Sequence, residues 1–466
     1  MQRRWARLVA CVASAALVTG GLAVYPATAA VGEESLFSLN GFPMNQPQPA
    51  SLAEAAAQAA GQPGVTNQKP ERTHKTVAEL EEIARPGKYV VAVPAPKTAE
   101  MSATAFSPVD DVITGEECRN FYNNAPSPAP EHWYKNRFNA CYGNLMRIVK
   151  KIRNSSGQVI TEAFGQFKAV FLVSMNPNMR SATVTLELSD FYKDSSKFPE
   201  TQRVSFGSGC WDPAPTGPTC TPTTTTFEDS FAGFRANPRR FATVNFTGTG
   251  AHLPNDPALN ELRSFYDIEP YWYMETGIPG MSDFYKYPVF HQRCDVARTV
   301  VNSQYVRGSD CVFHEASGFF QLARHDGATE ESVEFIHDAQ TNITATKPGI
   351  PGSWVPGTYG TRPPLSRLYY DEAMRDANRL ASKATCVREF GANYPNDRTD
   401  GFKNDCDEFP FAATHQGSYS VTNPSDRSYA VRALRSDQNQ AVGNLLSQYS
   451  AGDHILEEDT YYVIIN

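Results

Sequence analysis

Two adjacent carboxylates, Asp407 and Glu408, follow a cysteine and precede a run of aromatic and small residues in the stretch Asp-Cys-Asp-Glu-Phe-Pro-Phe-Ala-Ala-Thr, residues 405–414. A carboxylate against apolar surface costs several kcal/mol of free energy unless a partner compensates its charge. A divalent cation can compensate two such charges at once. The stretch therefore predicts a metal-assisted acid/base site. The competing interpretation is a solvated acidic loop beside a disulfide.

Three motifs near this stretch carry a resemblance to a known family. They are Cys-Asp-Glu-Phe-Pro-Phe-Ala at 406–412, Tyr-Ala-Val-Arg at 429–432 and Asp-Gln-Asn at 437–439. Together they resemble the NucA/NucB family of secreted, metal-dependent, non-specific deoxyribonucleases. The chain is most similar to the longer, actinobacterial-type members, which carry a disulfide-rich domain ahead of the nuclease. The similarity covers residues 364–466 and is looser upstream.

The resemblance implies a small ββα-metal-type nuclease domain with a divalent cation, Mg²⁺ or Mn²⁺, as its cofactor. Phosphodiester hydrolysis needs a cation on the phosphoryl oxygens and a base for the attacking water. Carried over by position, Asp407 and Glu408 match the acidic pair of the family, and Asn439 matches the asparagine that begins its helix. These three residues are the expected metal ligands, and the acidic pair is also expected to be catalytic.

Strand geometry restricts how the two acids can work together. Adjacent side chains of an extended strand point to opposite faces, so Asp407 and Glu408 line one site only if the strand bends there. Cys406 shares the face of Glu408. If a bridge from Cys406 to Cys386 holds that face against the domain, Asp407 is the expected base or first metal ligand. Glu408 is then the second ligand or supports the first.

Arg432 and His415 are further catalytic candidates. Arg432 lies on the second predicted strand, where it is a candidate phosphate clamp or a surface arginine paired with a nearby acid. Histidine is a common base in ββα nucleases, but His415 follows the acidic motif by several residues, and a lone histidine is more often a surface or hydrogen-bonded residue. The remaining histidines show no metal-ligand spacing.

The N-terminus predicts export. Arg3 and Arg4 precede an apolar run that ends in small residues, which is typical of a secretory signal peptide over residues 1–30. We therefore expect a secreted, extracellular protein with no membrane attachment after cleavage of the signal. The formal net charge of −8 argues against a strongly basic nucleic-acid binder. It is compatible with an enzyme that engages a few phosphates through a cation and local arginines.

The cysteines predict a disulfide framework. Of the nine, Cys11 lies in the signal peptide, which leaves eight that fall into four close pairs along the chain. Eight cysteines in a secreted chain suggest four disulfides, and their spacing favours pairing between sequence neighbours. A zinc site is the competing use, but no two cysteines have zinc-ligand spacing. The expected pairs are Cys118 with Cys141, Cys210 with Cys220, Cys294 with Cys311, and Cys386 with Cys406.

The first two thirds of the chain divide by composition. Residues 31–117 are rich in Ala, Gln and Pro and poor in aromatics, which predicts a largely disordered, propeptide-like leader. In residues 118–345, apolar and polar side chains alternate along 181–188, which together with 167–173 predicts an antiparallel hairpin. More short strands follow, so we expect a β-sandwich-like domain stapled by three bridges.

The last third predicts a second domain and makes the chain α+β. Proline and glycine mark residues 346–363 as a linker. Residues 364–466 then form the nuclease-like domain. The first domain is predicted to close with a helix at 330–340. The predicted elements of the nuclease-like domain are a helix at 365–383, strands at 408–414 and 429–434, a helix at 438–449 and a strand at 461–465.

The pattern as a whole favours a secreted, monomeric endonuclease that hydrolyses DNA, with RNA as an alternative substrate, and with little sequence preference. Contacts to phosphate carry no sequence information, and no segment is typical of a base-reading helix. The competing hypothesis is a secreted polymer-binding or cell-surface interaction protein whose nuclease-like module is catalytically silent.

Overall fold

A computed structural model describes residues 35–61, 65–66, 79, 89–90, 111–176, 179–211, 220–246, 263–278, 281–295, 298–301, 304–307 and 311–466. The predicted signal peptide lies outside these residues. Within the described part of the chain, no helix combines the length and apolarity needed to span a membrane.

The helices and strands are numbered in chain order over the described residues. The helices are α1 (Leu52–Ala60), α2 (Gly115–Asn124), α3 (Phe231–Ala236), α4 (Glu330–Thr341), α5 (Glu372–Phe390) and α6 (Ser436–Gly452). The strands are β1 (Ser35–Phe42), β2 (Val65–Thr66), β3 (Tyr89–Val90), β4 (Trp133–Asn136), β5 (Asn139–Arg153), β6 (Val159–Met175), β7 (Ser181–Lys193), β8 (Arg203–Trp211), β9 (Cys220–Thr221), β10 (Thr224–Ser230), β11 (Arg239–Phe246), β12 (Arg263–Glu275), β13 (Ser282–Lys286), β14 (Phe290–Asp295), β15 (Arg298–Val301), β16 (Gln304–Arg307), β17 (Cys311–Val312), β18 (Ala316–Leu322), β19 (Leu365–Ser366), β20 (Asn404–Phe409), β21 (Ala430–Arg435) and β22 (Thr460–Ile465).

The N-terminal β domain is built from two antiparallel sheets. One has the strand order β1-β5-β6-β7-β11-β9, with β4 also paired to β5. The other has β10-β8-β12-β13-β2, with β14 paired to β12 and β17 paired to β14. Their inner faces share one aromatic core, in which Phe171 lies 5.1 Å from Phe206, and Phe206 lies 5.0 Å from Trp272, between ring centroids. The α+β class and the sandwich-like first domain are therefore confirmed.

The start of the described chain corrects the predicted leader. Strand β1 pairs with β5 along its whole length, and helix α1 places Ala55 against Val149 and Phe164 of the same sheet. Residues 35–61 thus belong to the β domain rather than to a disordered segment. Leu39 of β1 is buried in the core of the β domain, and the Phe42 ring lies 4.5 Å from the guanidinium carbon of Arg147, a partner on β5 far along the chain. Composition averaged over 31–117 does not reveal such a partner.

The four disulfides join sequence neighbours, as their spacing predicted. Cys118–Cys141, Cys210–Cys220 and Cys294–Cys311 lie in the β domain, and Cys386–Cys406 lies in the C-terminal part. The last of these attaches α5 to β20. It therefore fixes one face of the strand that carries the acidic pair.

The C-terminal unit comprises α4–α6, the sheet β19-β22-β18-β3 and the hairpin β20-β21. Its core brings Phe320 of β18 and Val333 of α4 together with Phe409 and Val463. Because Ala316 and Phe319 of β18 lie in the core of the β domain, the packing boundary lies at β18 itself, between that core and the C-terminal core, whereas the sequence placed it at 345. Residues 346–363 also differ from the predicted linker, since Val355 is buried in this core. Proline and glycine prevent regular structure here without preventing burial.

Two predicted elements of this unit are displaced. The helix expected at 365–383 is α5, which begins after Asp371, whose side chain accepts a hydrogen bond from the Met374 N–H. The apolar periodicity through Ala373, Ala377 and Leu380, which predicts the helix, does not mark its buried face. Leu380 is 67% exposed, while Asn378 and Cys386 are buried. The strand expected at 408–414 is β20, which begins at residue 404 and ends before Pro410. Proline lacks the N–H that would continue the ladder.

Buried charges join the two units. Arg137, between β4 and β5, and Arg293 of β14 donate hydrogen bonds to Asp459, at 2.9 Å from Oδ2 and 3.0 Å from Oδ1 respectively. Beside them, the His454 Nδ1 lies 2.8 Å from Asp295 Oδ1. Burial raises the pKa of Asp459, but Arg293 and Arg137 outweigh it and hold that pKa at about 2. The C-terminal unit is thus fixed to the β domain by compensated charges.

Candidate active site

The acidic pair lies on a regular hairpin. Strands β20 and β21 pair without a register shift, with Asp407 opposite Arg432 and Glu408 opposite Val431. An unbroken ladder sends adjacent side chains to opposite faces. Asp407 and Arg432 therefore share one face, and Glu408 lies on the other. The bend that would bring both acids to one face does not occur.

Asp407 lies beneath α4. The Ser332 hydroxyl donates a hydrogen bond of 2.6 Å to Asp407 Oδ2, and the Glu408 N–H donates one of 2.9 Å to Oδ1. The residue is only 6% exposed. Burial raises the pKa of Asp407 to about 7, and the charge of Asp405 adds to this, while the two hydrogen bonds and Arg432 act in the opposite direction. A carboxyl with this pKa can exchange a proton near neutral pH.

Glu408 lies on the face held by the disulfide. Cys406, on the same face, is bonded to Cys386 of α5. Glu408 is half-buried. Burial and the neighbouring Asp407 raise the pKa of Glu408 to about 8, against the opposing influence of Arg379 and the Ala412 N–H. Two adjacent carboxyls with raised pKa values are the expected result of burying acids without a full counter-charge.

Arg432 is held by an acid of α4. Its guanidinium donates hydrogen bonds to Asp338 Oδ2 at 2.8 Å and to the Ala345 carbonyl at 2.9 Å. The guanidinium carbon also lies 5.4 Å from the centre of the Phe335 ring. This arrangement corresponds to the ion-paired alternative considered for this residue. A role as a phosphate clamp would require the Asp338 pair to open.

His415 is tied to a different acid. Its Nε2 lies 2.6 Å from Glu457 Oε1, and the other oxygen of Glu457 accepts hydrogen bonds from the N–H groups of Tyr369 and Tyr370. The histidine is thus part of a network that fixes the loop before α5. This geometry supports the hydrogen-bonded interpretation of His415 more than a role as general base.

Asn439 lies in the first turn of α6, and it is half-buried. Helix α6 packs on the same face of the hairpin as Asp407, because its Val442 shares a core with Phe409 and Leu434. Its neighbour Gln440 donates a hydrogen bond of 3.3 Å to Asp405 Oδ2. The predicted ligands are therefore divided, with Asp407 and the helix of Asn439 on one face and Glu408 on the other.

The hairpin is followed by a helix, and its first strand carries the acid, which is the arrangement that the sequence motifs predicted. A comparison with protein families shows which family has a matching sequence. Residues 359–464 match the family described as deoxyribonuclease NucA/NucB. The C-terminal domain belongs to the NucA/NucB family. Neither a curated protein nor a solved structure matches the chain. DNA is accordingly the substrate of this NucA/NucB domain, which contains the hairpin, α5 and α6.

Two residues at the site were not predicted, and both involve α4, which precedes the matched region. Ser332 contacts Asp407 directly. Gln438 connects α6 to the start of α4, since its Oε1 accepts a hydrogen bond from the Glu331 N–H at 2.6 Å and its Nε2 donates one to the Gly327 carbonyl at 3.1 Å. A signal for Ser332 existed, because it occupies the apolar stripe of α4 together with Phe335, Ile336 and Ala339. A small polar residue on a core-facing stripe indicates a buried polar partner.

Few side chains at this NucA/NucB site are candidate donors for a divalent cation. Among the described residues, no group of three or more His, Cys, Asp or Glu side chains is placed to hold a metal. Mg²⁺ commonly takes only one or two carboxylates from the protein, with water and substrate phosphate as its other ligands. Asp407 lies on the face of the hairpin on which α6 packs, so Asp407 and Asn439 of α6 are the candidate oxygen donors there. Glu408 lies on the opposite face and cannot complete the same set without a change in the strand.

Proposed function

We propose that the protein is a secreted, cation-dependent endonuclease that hydrolyses DNA with little sequence preference. The proposal is carried by one observation, the Asp407 carboxyl held between Ser332 and the Glu408 N–H on the matched hairpin. A base must be in its proton-accepting form at the working pH, and its position must be fixed. Asp407 meets both conditions near neutral pH.

In this mechanism Asp407 accepts the proton of the attacking water. Burial places the pKa of this carboxyl at about 7, so it is strong enough to take the proton and weak enough to return it to solvent. Asn439 and Asp407 would hold Mg²⁺ or Mn²⁺ on their common face. When bound, the cation supplies charge stabilisation at the phosphoryl and leaving oxygens. Glu408, on the other face of the hairpin, adds negative charge only above its pKa of about 8.

Weak sequence preference follows from the type of contact. A cation and a base act on the phosphate and the water, which are the same at every step of the polymer. The net charge of −8 favours few phosphate contacts and therefore a weak affinity for the polymer with a shallow dependence on salt. RNA offers the same phosphodiester and is proposed as an alternative substrate.

Secretion is supported by two independent features. The first 30 residues have the charged start, apolar run and small residues of a signal peptide. Four disulfides are expected in an oxidising compartment and are rare in the cytosol. Detection of the mature protein in culture medium, with a new N-terminus near residue 30, would test this part of the proposal.

The test of activity uses the purified full chain, supercoiled plasmid and Mg²⁺ or Mn²⁺, with and without EDTA. We expect nicked, then linear, then fragmented DNA with either cation, and none of these products with EDTA or with the Asp407→Ala variant. Cleavage that continues unchanged in EDTA would contradict cation dependence. A folded protein that retains DNA without cutting it under all these conditions would support the silent binding module instead.

A further inference from the structure

The contact between Ser332 and Asp407 joins a helix outside the family match to the acid at the centre of the site. Helix α4 ends before the matched region begins at residue 359. We propose that Ser332 is a positioning residue for catalysis, and that its hydroxyl fixes the orientation of the Asp407 carboxylate. The proposal rests on the function proposed above for Asp407. Under this proposal, catalysis requires α4 in addition to the matched residues 359–464.

Two hydrogen bonds define how the carboxylate of Asp407 is held. Ser332 donates to Oδ2 and the Glu408 N–H donates to Oδ1, so both oxygens are fixed and the plane of the group cannot rotate freely. Each carboxylate oxygen can accept a second hydrogen bond or a cation. The two contacts therefore orient the group and leave it able to act on water.

Solvent cannot take over the hydrogen bond that the Ser332 hydroxyl donates to Asp407. The Ser332 side chain is fully buried, so solvent cannot replace the donor if the hydroxyl is removed. Serine inside a helix usually bonds to a carbonyl of the preceding turn. Here the hydroxyl points across to the neighbouring strand, at 2.6 Å from the carboxylate. A short hydrogen bond to an ionisable oxygen is among the strongest that a neutral donor makes.

Helix α4 is held rigidly enough to position another group. Val333, Phe335 and Ile336 are fully buried in the core of the C-terminal unit. Glu331, next to Ser332, accepts two hydrogen bonds from the Arg398 guanidinium at 2.9 and 3.0 Å. Gln438 fixes the first turn of the helix through the Glu331 N–H. A positioning group must itself be locked by packing and hydrogen bonds, and Ser332 is.

The experiment compares Ser332→Thr with Ser332→Val in the full chain. The two replacements have the same shape, so they disturb packing equally, but only threonine keeps the hydroxyl. We expect the valine variant to lose about 10–100-fold in kcat, as removal of an orienting partner typically does, with KM for a duplex oligonucleotide unchanged. The threonine variant should recover most of this loss. Calorimetric titration with Mn²⁺ in the absence of DNA should show weaker binding for valine than for threonine.

A matched control lies on the other side of the hairpin. Ser382 of α5 is also fully buried, and its hydroxyl donates to the Ser418 hydroxyl at 3.0 Å rather than to an acid. Ser382→Ala should keep the wild-type kcat and Mn²⁺ affinity. Equal losses of kcat and Mn²⁺ affinity in Ser382→Ala and Ser332→Val would mean that removal of any buried hydroxyl near the hairpin acts through folding and not through Asp407.

A double variant separates this proposal from the function on which it rests. If Ser332 acts through Asp407, Ser332→Val should cause no further loss in an Asp407→Ala background. An active Asp407→Ala variant would overturn the assignment of Asp407 and the role of Ser332 with it. An inactive Asp407→Ala variant, with threonine and valine at 332 equal in kcat and in Mn²⁺ affinity, would overturn the positioning role and leave the proposed function intact.

Discussion

Asp407 and Arg432 face each other directly across the hairpin, yet the Arg432 guanidinium is bonded to Asp338 of α4, at 2.8 Å from Oδ2. The positive charge is thus close enough to lower the pKa of Asp407 without being its hydrogen-bond partner. Helix α4 consequently influences the acid twice, through Ser332 and through the arginine that it holds in place.

Replacing Arg432 by alanine should lower stability and move the pH dependence of the reaction. Loss of the hydrogen bonds to Asp338 and to the Ala345 carbonyl should cost about 1.5–3 kcal/mol, which is usual for bonds that involve a charged group. Without the guanidinium charge the pKa of Asp407 rises, so the base becomes active only at higher pH. Thermal unfolding and a pH–rate profile check the two effects. An unshifted profile would show that Arg432 does not act on Asp407.

The comparison of Asp407→Ala with His415→Ala assigns the base. Removal of a general base costs on the order of 10²-fold or more in rate, so the aspartate variant should be nearly inactive. The histidine variant should lose much less, because its imidazole is bonded to Glu457. Circular dichroism checks that both variants are folded. Equal inactivity of two folded variants would transfer the role of base to His415.

Glu408→Gln and Asp407→Asn should differ in the Mn²⁺ concentration that each variant needs for half-maximal activity. Both changes remove one charge and keep the shape of the side chain, but only Asp407 shares its face with the helix of Asn439. We expect the Mn²⁺ concentration for half-maximal activity to rise more for Asp407→Asn. A larger rise for Glu408→Gln would show that the strand bends when a cation binds and that Glu408 is the main ligand.

Without a cation, stability should fall as the pH rises from about 5 to about 8. The folded pKa values of Asp407 and Glu408, about 7 and about 8, lie above the ordinary pKa values of these side chains, 3.8 and 4.5. The folded state therefore holds protons that the unfolded state has released, and its stability decreases through this window. Melting temperatures in EDTA should show the decrease, and Mn²⁺ at pH 8 should reverse it. The Asp407→Asn, Glu408→Gln double variant should have a flatter profile.

Asp459→Asn should destabilise the whole chain. The change leaves Arg137 and Arg293 buried without their common counter-charge, which typically costs about 3–5 kcal/mol. The pKa of Asp459 is lowered to about 2, so its stabilising contribution is present above about pH 4 and is lost as the pH falls toward 2. Chemical denaturation measures the loss. Glu228→Gln, which breaks an exposed pair with Arg203, is the control and should change little.

The sequence contained enough information for the features that depend on neighbours in the chain. Close spacing identified the disulfide partners, alternation identified the hairpin β6-β7, and the motif order identified the matched domain. Features that depend on distant partners could not be found in this way. Strand β1 needs the edge of β5, and the buried face of α5 is polar because Asn378 and Cys386 have partners on the hairpin side. The apolar stripe of α4 indicates that Ser332 has a buried polar partner, but Asp407 is distant in the chain and could not be identified as that partner from the sequence.

The pairing of each cysteine with the next one along the described chain has a consequence for biosynthesis. The bridges span separations of only 10 to 23 residues, and none encloses another. When such a chain emerges into an oxidising space from its N-terminus, the correct partner of every unpaired thiol is the next thiol to arrive. Oxidation during vectorial export then gives the native connectivity directly, with little need for shuffling by a disulfide isomerase. We expect full activity from hosts that oxidise thiols but isomerise disulfides poorly.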